Sequence, residues 1–181
     1  MDWQNVRQAL LTMRPLLPTA LASVEHTGIY AWWDLKGALQ YPQGFPIVDI
    51  QKPLYIGLAE RQGLDKRGIR MHLQSTRMSG LRRNLTPLLV DKLGLLDGAI
   101  AFPKRKFSLS AEKEIALTGW MLENLSVTWV LDPAPSRVEA ILIDNLLPPL
   151  NSQYAHRGEY WSHTDRLRAD FHRAARAQRV E

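Results

Sequence analysis

Five polar side chains of this sequence are of the types that could together hydrolyse a phosphodiester bond. They are two tyrosines close to glycines, an arginine, a histidine and a glutamate, namely Tyr30, Tyr55, Arg67, His72 and Glu139. Such a reaction needs an activated water, neutralisation of charge on the phosphate and stabilisation of the leaving oxygen. A phenol or an imidazole can move the water proton, and a forked guanidinium fits two phosphate oxygens. A glutamate carboxylate can hold one divalent cation that acts as a Lewis acid.

These side chains lie in short motifs that follow one another in an informative order. Gly28-Ile29-Tyr30 and Tyr55-Ile56-Gly57 lie on two predicted strands, and Arg67 and His72 follow on the next helix. Glu139 belongs to the apolar run 138–143, and Asn151 ends Pro148-Pro149-Leu150-Asn151. In this order the motifs resemble the GIY-YIG nuclease family over about residues 28 to 151. The segments Leu81-Arg82-Arg83-Asn84-Leu85 and Leu117-Thr118-Gly119-Trp120-Met121 also resemble bacterial members of that family.

The resemblance implies both a fold and an activity. The fold is α/β (α+β), with a small central antiparallel sheet of about three strands, helices on both sides and the site on the face where both tyrosines emerge. The activity is that of a DNA endonuclease that uses Mg²⁺ or Mn²⁺ and leaves a 5′-phosphate and a 3′-hydroxyl. Tyr30 and Tyr55 would flank the attacking water. Whether a phenol or His72 takes the proton stays open, because an unperturbed phenol titrates near pH ~10 and imidazole near neutrality.

Two arginines compete for the scissile phosphate. Family members commonly place this arginine four or five residues before the histidine, and a spacing of five selects Arg67. Arg70 would lie about 200° around an ideal α-helix from His72 at ~100° per residue. We therefore favour Arg67 and assign Arg70 to the DNA backbone or to water. The nearby Arg77, Arg82 and Arg83 are further candidates for binding nucleic acid.

Several features are less decisive. Asn151 should fix an active-site residue, contact the phosphate or end a turn after Pro149. Gly68 is a poor helix residue and leaves the geometry beside Arg67 open. Residues 31–54 form a longer gap than is usual in the family, so Gly37 to Lys52 must be an inserted loop. We expect its Tyr41, Phe45 and Ile47 to pack on their own domain.

Other aromatic and imidazole side chains are assigned no catalytic role. Three histidines lack a regular metal spacing and are expected at the surface or near DNA, namely His156, His163 and His172. Strand and helix tryptophans are usually core, so we place five of them there: Trp32, Trp33, Trp120, Trp129 and Trp161.

Composition narrows the class of protein. A chain of 181 residues with 45% hydrophobic residues suits one compact domain. The absence of cysteine excludes disulfides and thiolate metal sites, which favours Mg²⁺ or Mn²⁺ over structural zinc. The net charge of +5, with arginines clustered at 67–83 and 166–179, favours a polyanionic partner such as DNA. No apolar run suits a membrane span or a signal peptide, so we expect a cytoplasmic protein.

The elements that must position the site follow from hydrophobic periodicity and from turn residues. We predict an N-terminal helical cap over 1–27, interrupted by Pro15 and Pro18, then the nuclease domain over 28–151, then a basic helical or frayed tail over 152–181, all in one compact domain. Strands are expected at Gly28–Trp33, Leu54–Leu58 and Val127–Leu131. Helices are expected from Leu64 to about Leu93 with a break around Ser79 and Gly80, from Ser110 to Leu125, and over Arg137–Leu147.

Two rival functions come from other classes. A DNA-binding module that kept the fold but lost turnover would bind DNA with a salt dependence and no need of metal, although the intact set of five side chains counts against it. A protein-interaction scaffold whose basic tail folds on a partner ranks last. A role in restriction, repair or other genome maintenance stays open, as does the oligomeric state, with a homodimer among the options.

Overall fold

A three-stranded antiparallel sheet forms the centre of the computed structural model, which describes residues 2–154 and 158–178. Its strands are β1 (Gly28–Trp33), β2 (Tyr55–Ala59) and β5 (Ser126–Leu131), arranged in the order β2-β1-β5. Helices cover both faces, so the α/β fold predicted from the sequence is confirmed. His156 and Arg179 lie outside the described residues.

Strand β1 is buried on both faces because it lies between two cores. All six of its residues are buried, and successive side chains point to opposite sides of the sheet. Ile29, Ala31 and Trp33 pack with α1 (Trp3–Thr12) and α6 (Ser136–Leu146). Tyr30 and Trp32 face the second, larger core. The alternation therefore directs Tyr30 towards the helices that follow β2.

The larger core is covered by the remaining helices. They are a 3₁₀ helix (Pro18–Ser23), a π-helix (Asp65–Arg70), α2 (Met71–Gln74), α3 (Gly80–Leu88), α4 (Val90–Leu93), α5 (Ala111–Asn124) and α7 (Glu159–Ala177). Phe171 and Ala175 of α7 are buried in this core, so the basic segment forms a packed helix rather than a frayed tail. None of the helices within the described residues is both long enough and apolar enough to cross a lipid bilayer.

A second sheet was not predicted from the sequence. Strands β3 (Ile100–Phe102) and β4 (Lys106–Ser108) form an antiparallel hairpin that directs Ala101 and Phe107 into the larger core. Each strand has only three residues, and the turn between them lacks the Asn-Gly or Asp-Gly pair that marks a hairpin in a sequence. The hairpin lies against α7.

The long connection between β1 and β2 folds back on its own domain, as expected. Asp34 holds its start, because the carboxylate accepts hydrogen bonds from the N–H groups of Ala38 and Leu39, both at 2.8 Å. Phe45 stacks on Tyr41 and on Tyr160 of α7, with ring centroids 4.7 and 5.9 Å apart. Ile47 departs from the prediction, since 94% of its surface is exposed.

The tryptophans predicted to lie in the core and the histidines predicted to lie at the surface agree with the structure only in part. Trp32, Trp33 and Trp120 are buried, whereas Trp129 and Trp161 are half-buried. His163 and His172 are half-buried rather than on the open surface. The His163 ring centroid lies 5.5 Å from that of Phe45, and His172 Nε2 donates to the Phe102 carbonyl at 2.8 Å. These two imidazoles therefore make packing and backbone contacts.

Candidate active site

Three of the five predicted side chains line one cavity. Tyr55 of β2, Arg67 of the π-helix and Glu139 of α6 surround a space of about 380 Å³, together with Arg83 and Asn151. The wall of the cavity is mostly polar, and the cavity lies where β2, the π-helix, α3 and α6 meet. A carboxylate and a guanidinium, the groups that can hold a cation and a phosphate, thus face the same space.

The other two side chains lie behind this cavity as a buried pair. Tyr30 Oη and His72 Nε2 are 2.7 Å apart, and both residues are fully buried. The imidazole is enclosed by the edges of three aromatic rings, Tyr30, Trp32 and Tyr55, with ring centroids 5.4 to 5.8 Å from its own. On its far side, His72 Nδ1 is 2.6 Å from Ser79 Oγ.

The register of the two strands places both tyrosines on one face. Tyr30 pairs with Gly57 and Trp32 pairs with Tyr55, so Tyr30 and Tyr55 are diagonal neighbours across the β1–β2 pair. Gly57 makes this possible, because a Cβ there would lie 2.5 Å from Tyr30 Oη. At Gly28 a Cβ would lie 2.3 Å from the carbonyl oxygen of Val130 on β5. Each tripeptide therefore needs its glycine for a close approach.

The π-helix explains why Arg67, and not Arg70, reaches the cavity. Its last turn is closed by the Met71 N–H, which bonds to the carbonyl of Lys66 five residues earlier. Such a wide turn brings residues five apart onto one face, which is the spacing of Arg67 and His72. Gly68 packs directly on the Tyr30 ring, with a virtual Cβ 3.3 Å from Cδ1. Arg70 is exposed and lies 3.8 Å from the Asp65 carboxylate, away from the cavity.

The amide of Asn151 is bonded to the backbone of strand β2. Its Oδ1 accepts from the Ile56 N–H and its Nδ2 donates to the Ile56 carbonyl, both at 2.8 Å. Strand β2 is an edge strand, so these two backbone groups have no neighbouring strand to pair with. Asn151 also lines the cavity, so its place in the catalytic set stays a prediction, and the expectation that it fixes part of the site agrees with the bonds that its amide makes to β2.

The prediction that Arg82 binds nucleic acid is wrong, because its side chain is not accessible to a ligand. The side chain is fully buried and forms an ion pair with Glu114 of α5, with Nη2 2.6 Å from Oε2. Arg82 also donates to the carbonyls of His72 at 3.1 Å and Glu114 at 2.9 Å. A basic stretch of sequence is usually expected at the surface. Here the positive charge of Arg82 is buried instead, and its contacts hold α2, α3 and α5 together. Arg77 is exposed and Arg83 is half-buried, so both remain open to a ligand.

Burial perturbs the pKa values of both tyrosines, of His72 and of Glu139. It raises the pKa of Tyr55 to about 12 and that of Tyr30 well above its usual value. It lowers the pKa of His72 to about 3, and the charge of Arg67 lowers it further. It raises the pKa of Glu139 to about 7, against an opposing effect of Arg67. His72 is therefore neutral at neutral pH, and both phenols keep their protons unless another group accepts them.

The donor set of the cavity fits a magnesium-type cation. Glu139 is the acid among the described residues that line the cavity. Within residues 2–154 and 158–178, no three histidine, aspartate or glutamate side chains lie together so that they could hold a metal ion. Mg²⁺ usually keeps several waters and takes one or two carboxylates together with substrate phosphates. A single carboxylate at an open polar cavity meets that requirement, whereas a zinc centre would need more protein ligands.

Ser79 is the residue of this arrangement that sequence reasoning missed. Its hydroxyl is buried, caps α3 by accepting from the Arg82 N–H at 3.0 Å, and contacts His72. The signal in the sequence was the Ser79-Gly80 pair at a helix start, which was used only as a break between helices. The second role depends on α2 folding back onto that cap.

Together, the fold and the cavity define a small α/β protein with a polar cavity lined by aromatic, basic and acidic side chains. The model of one family, described as the GIY-YIG catalytic domain, matches residues 28–170. The chain therefore belongs to the GIY-YIG family, whose catalytic domain is of the nuclease type. No curated protein and no solved structure gives a match to this chain.

Proposed function

We propose that this protein is a metal-dependent DNA endonuclease that hydrolyses phosphodiester bonds in the cavity between β2, the π-helix, α3 and α6. The observation that carries the proposal is that Tyr55, Arg67 and Glu139 face one cavity while the Tyr30–His72 pair lies directly behind it. Three residues far apart in the sequence thus line a space that can admit a phosphate, and the Tyr30–His72 pair lies next to Tyr55 behind it.

Each side chain has a task that suits its surroundings. Arg67 donates forked hydrogen bonds to the scissile phosphate. Glu139 holds Mg²⁺ or Mn²⁺, which when bound supplies Lewis-acid stabilisation of the phosphate and of the leaving oxygen. Tyr55 lines the cavity and orients the attacking water. Asn151 is a positioning residue, because it fixes the backbone of β2 beside Tyr55.

Proton removal from the water is assigned to the buried pair. Because burial raises the pKa of Tyr30, its phenol can accept a proton only if its own proton leaves at the same time. The neutral imidazole of His72, 2.7 Å from Tyr30 Oη, is the acceptor for that proton. The transfer requires the tautomer in which Nδ1–H donates to Ser79 Oγ and Nε2 carries the lone pair.

The test is cleavage of supercoiled plasmid DNA with Mg²⁺, with Mn²⁺ and with EDTA. We expect nicked and linear products only with a divalent metal, and loss of cleavage with retained DNA binding in Glu139→Ala. Arg67→Ala should lower the rate by about 10²- to 10³-fold, as the loss of one transition-state donor does. Arg70→Ala is the matched control and should change the rate by no more than a few-fold, because its guanidinium lies outside the cavity.

Two results would overturn the proposal. Cleavage by Glu139→Ala at the wild-type rate would exclude this residue as the metal ligand. Salt-dependent DNA binding by the wild type, with no cleavage of plasmid, branched or single-stranded DNA under any divalent metal, would instead establish the rival DNA-binding module.

A further inference from the structure

Basic side chains continue from the candidate cavity along one side of the molecule. Arg83 lines the cavity, and its Nη1 donates to the carbonyl of Arg77 at 2.6 Å. The exposed Arg77 guanidinium lies 4.6 Å from the centroid of the Phe102 ring on β3. Phe102 in turn lines a second cavity of about 600 Å³. A chain of direct contacts therefore connects the two cavities.

The second cavity is also basic. Lys104 and Arg105 of the β3–β4 turn and Arg176 of α7 line it, and all three are exposed. The carboxylate of Asp165 is shared between two guanidiniums, with Oδ2 3.0 Å from Arg105 Nη1 and Oδ1 2.8 Å from Arg168 Nη2. Positive charge is thus in excess here, since one acid faces several cations.

Arg168 connects the second cavity to the first electrostatically. Burial lowers the pKa of Arg83, and the nearby positive charge of Arg168 lowers it further. Helices α3 and α7 are in contact, so the two guanidiniums lie on neighbouring elements and repel each other, and an anion bound beside them would relieve the repulsion. Phosphate groups supply such an anion.

The β3–β4 turn carries its charges at a cost to local stability. Lys104 and Arg105 have φ angles of 59° and 51°, a left-handed conformation that side chains other than glycine and asparagine rarely adopt. The Lys106 N–H closes the turn on the Pro103 carbonyl at 3.4 Å. A turn with positive φ at both central residues favours Asn-Gly. Strain of this kind is typical of functional positions, where a particular side chain is needed.

We propose that a basic surface formed by Arg77, Arg83, Lys104, Arg105, Arg168 and Arg176 binds the sugar-phosphate backbone of duplex DNA beside the scissile phosphate. The proposal rests on the proposed function, because the surface is continuous with the cavity assigned to the scissile phosphate. Contacts of this type set affinity and orientation and do not depend on base sequence.

The experiment measures DNA affinity after removal of two charges at the far end of this surface. The variant Lys104→Gln with Arg176→Gln is compared with Arg14→Gln with Lys92→Gln. Both pairs are exposed and remove two positive charges, but the control residues line neither cavity. Binding of a fluorescein-labelled duplex is followed by anisotropy in EDTA over a range of salt concentrations, and thermal unfolding checks that each variant is folded.

We expect the slope of log K against log salt concentration to decrease in magnitude by about 2 in the first variant and to be unchanged in the control. If the binding curves meet at about 1 M salt, the affinity at about 0.1 M salt is lowered by as much as about 100-fold. Unrelated DNA sequences should be affected equally, because the lost contacts are to phosphates.

A second variant separates binding from folding. Lys104→Asn with Arg105→Gly gives the turn the residues that its backbone prefers, so the melting temperature should rise by about 2–4 °C while DNA binding weakens. A merely structural turn would gain stability and keep its affinity, and that result would overturn the proposal.

The outcomes also separate this proposal from the proposed function. If the wild type binds and cuts DNA but both basic-surface variants keep wild-type affinity and slope, the surface is wrong and the nuclease stands. Polyglutamate serves as an acidic polypeptide in a parallel binding measurement. If the basic-surface variants lose binding to polyglutamate but keep binding to DNA, the surface is a protein-docking site and the proposal is overturned. If the wild type neither binds nor cuts DNA, both proposals are wrong.

Discussion

Replacing Gly57 by alanine should inactivate the protein through a displacement that can be worked out from the structure. The new Cβ would lie 2.5 Å from Tyr30 Oη and 2.6 Å from Cζ, whereas ordinary contact begins at 3.4 Å, so about 0.9 Å must be gained. Tyr30 is fully buried and its hydroxyl is held 2.7 Å from His72 Nε2. Either the phenol leaves this hydrogen bond or β2 moves away from β1.

Both responses affect catalysis more than folding. Overpacking of a core typically costs about 1–3 kcal/mol, which a folded domain can tolerate. Displacement of a reacting group by about 1 Å can cost about 10²-fold in rate. Gly57→Ala should therefore remain folded, with a free energy of unfolding lower by about 1–3 kcal/mol, and cut DNA about 100-fold more slowly.

Gly80→Ala is the matched control beside the other tyrosine. Its Cβ would lie 3.5 Å from Tyr55 Oη, which is an ordinary contact, so neither the phenol nor the backbone has to move. Urea unfolding gives the stability of both variants, and plasmid cleavage with Mg²⁺ gives their rates. A folded Gly57→Ala protein that cuts at the wild-type rate would refute the assignment of the Tyr30–His72 pair to proton transfer.

Three further changes test the surroundings of the site. Glu114→Gln leaves the buried charge of Arg82 without its partner and should lower the free energy of unfolding by about 3–5 kcal/mol in urea, whereas Glu112→Gln, with 84% of its side chain exposed, should leave it unchanged. The pKa of His72 is lowered to about 3 in the folded protein. Between pH about 6.5 and about 3, the imidazole is therefore protonated in the unfolded chain but not in the folded chain. Its contribution to stability should fall by about 1.4 kcal/mol per pH unit as the pH drops from about 6.5 towards 3, and urea unfolding of His72→Gln should lack that dependence; equal pH slopes in the two proteins would contradict a buried neutral imidazole. Gly119→Ala, on the exposed side of α5 with no atom within 4 Å of the new Cβ, should raise the free energy of unfolding by about 0.5–1 kcal/mol, and a loss of stability would contradict the open space seen there.

The sheet and the residues around the cavity could be predicted because their signals are local. Strands β1 and β5 are short runs of branched and aromatic residues bounded by turn formers, and the break between α2 and α3 is marked by Ser79-Gly80. The choice of Arg67 over Arg70 was also local, although it assumed an α-helix. The π-helix supports the same choice for another reason, since its wide turn suits a spacing of five residues.

What could not be predicted depends on partners far along the chain. Arg82 resembles its neighbours in the sequence, and its burial depends on the opposite charge of Glu114, which lies 32 residues later. Asn151 closes a turn on the Pro148 carbonyl at 3.3 Å, as the sequence allows, but the bonds of its side chain depend on the edge of β2 at Ile56, 95 residues earlier. The β3–β4 hairpin was missed because Lys104 and Arg105 occupy a turn that normally carries glycine or asparagine.

The long insertion between β1 and β2 is tolerated because the two tripeptides set the register themselves. Tyr30 pairs with Gly57, and no other residue of β2 near this position lacks a Cβ. A slip of one residue would oppose Tyr30 with Ile56 or Leu58 and turn Tyr55 to the other face of the sheet. The cavity would then lose the phenol of Tyr55. The Tyr30–His72 pair would also lose the space that the missing Cβ of Gly57 provides. The connecting loop can therefore vary in length at small entropic cost, since it does not have to align the strands.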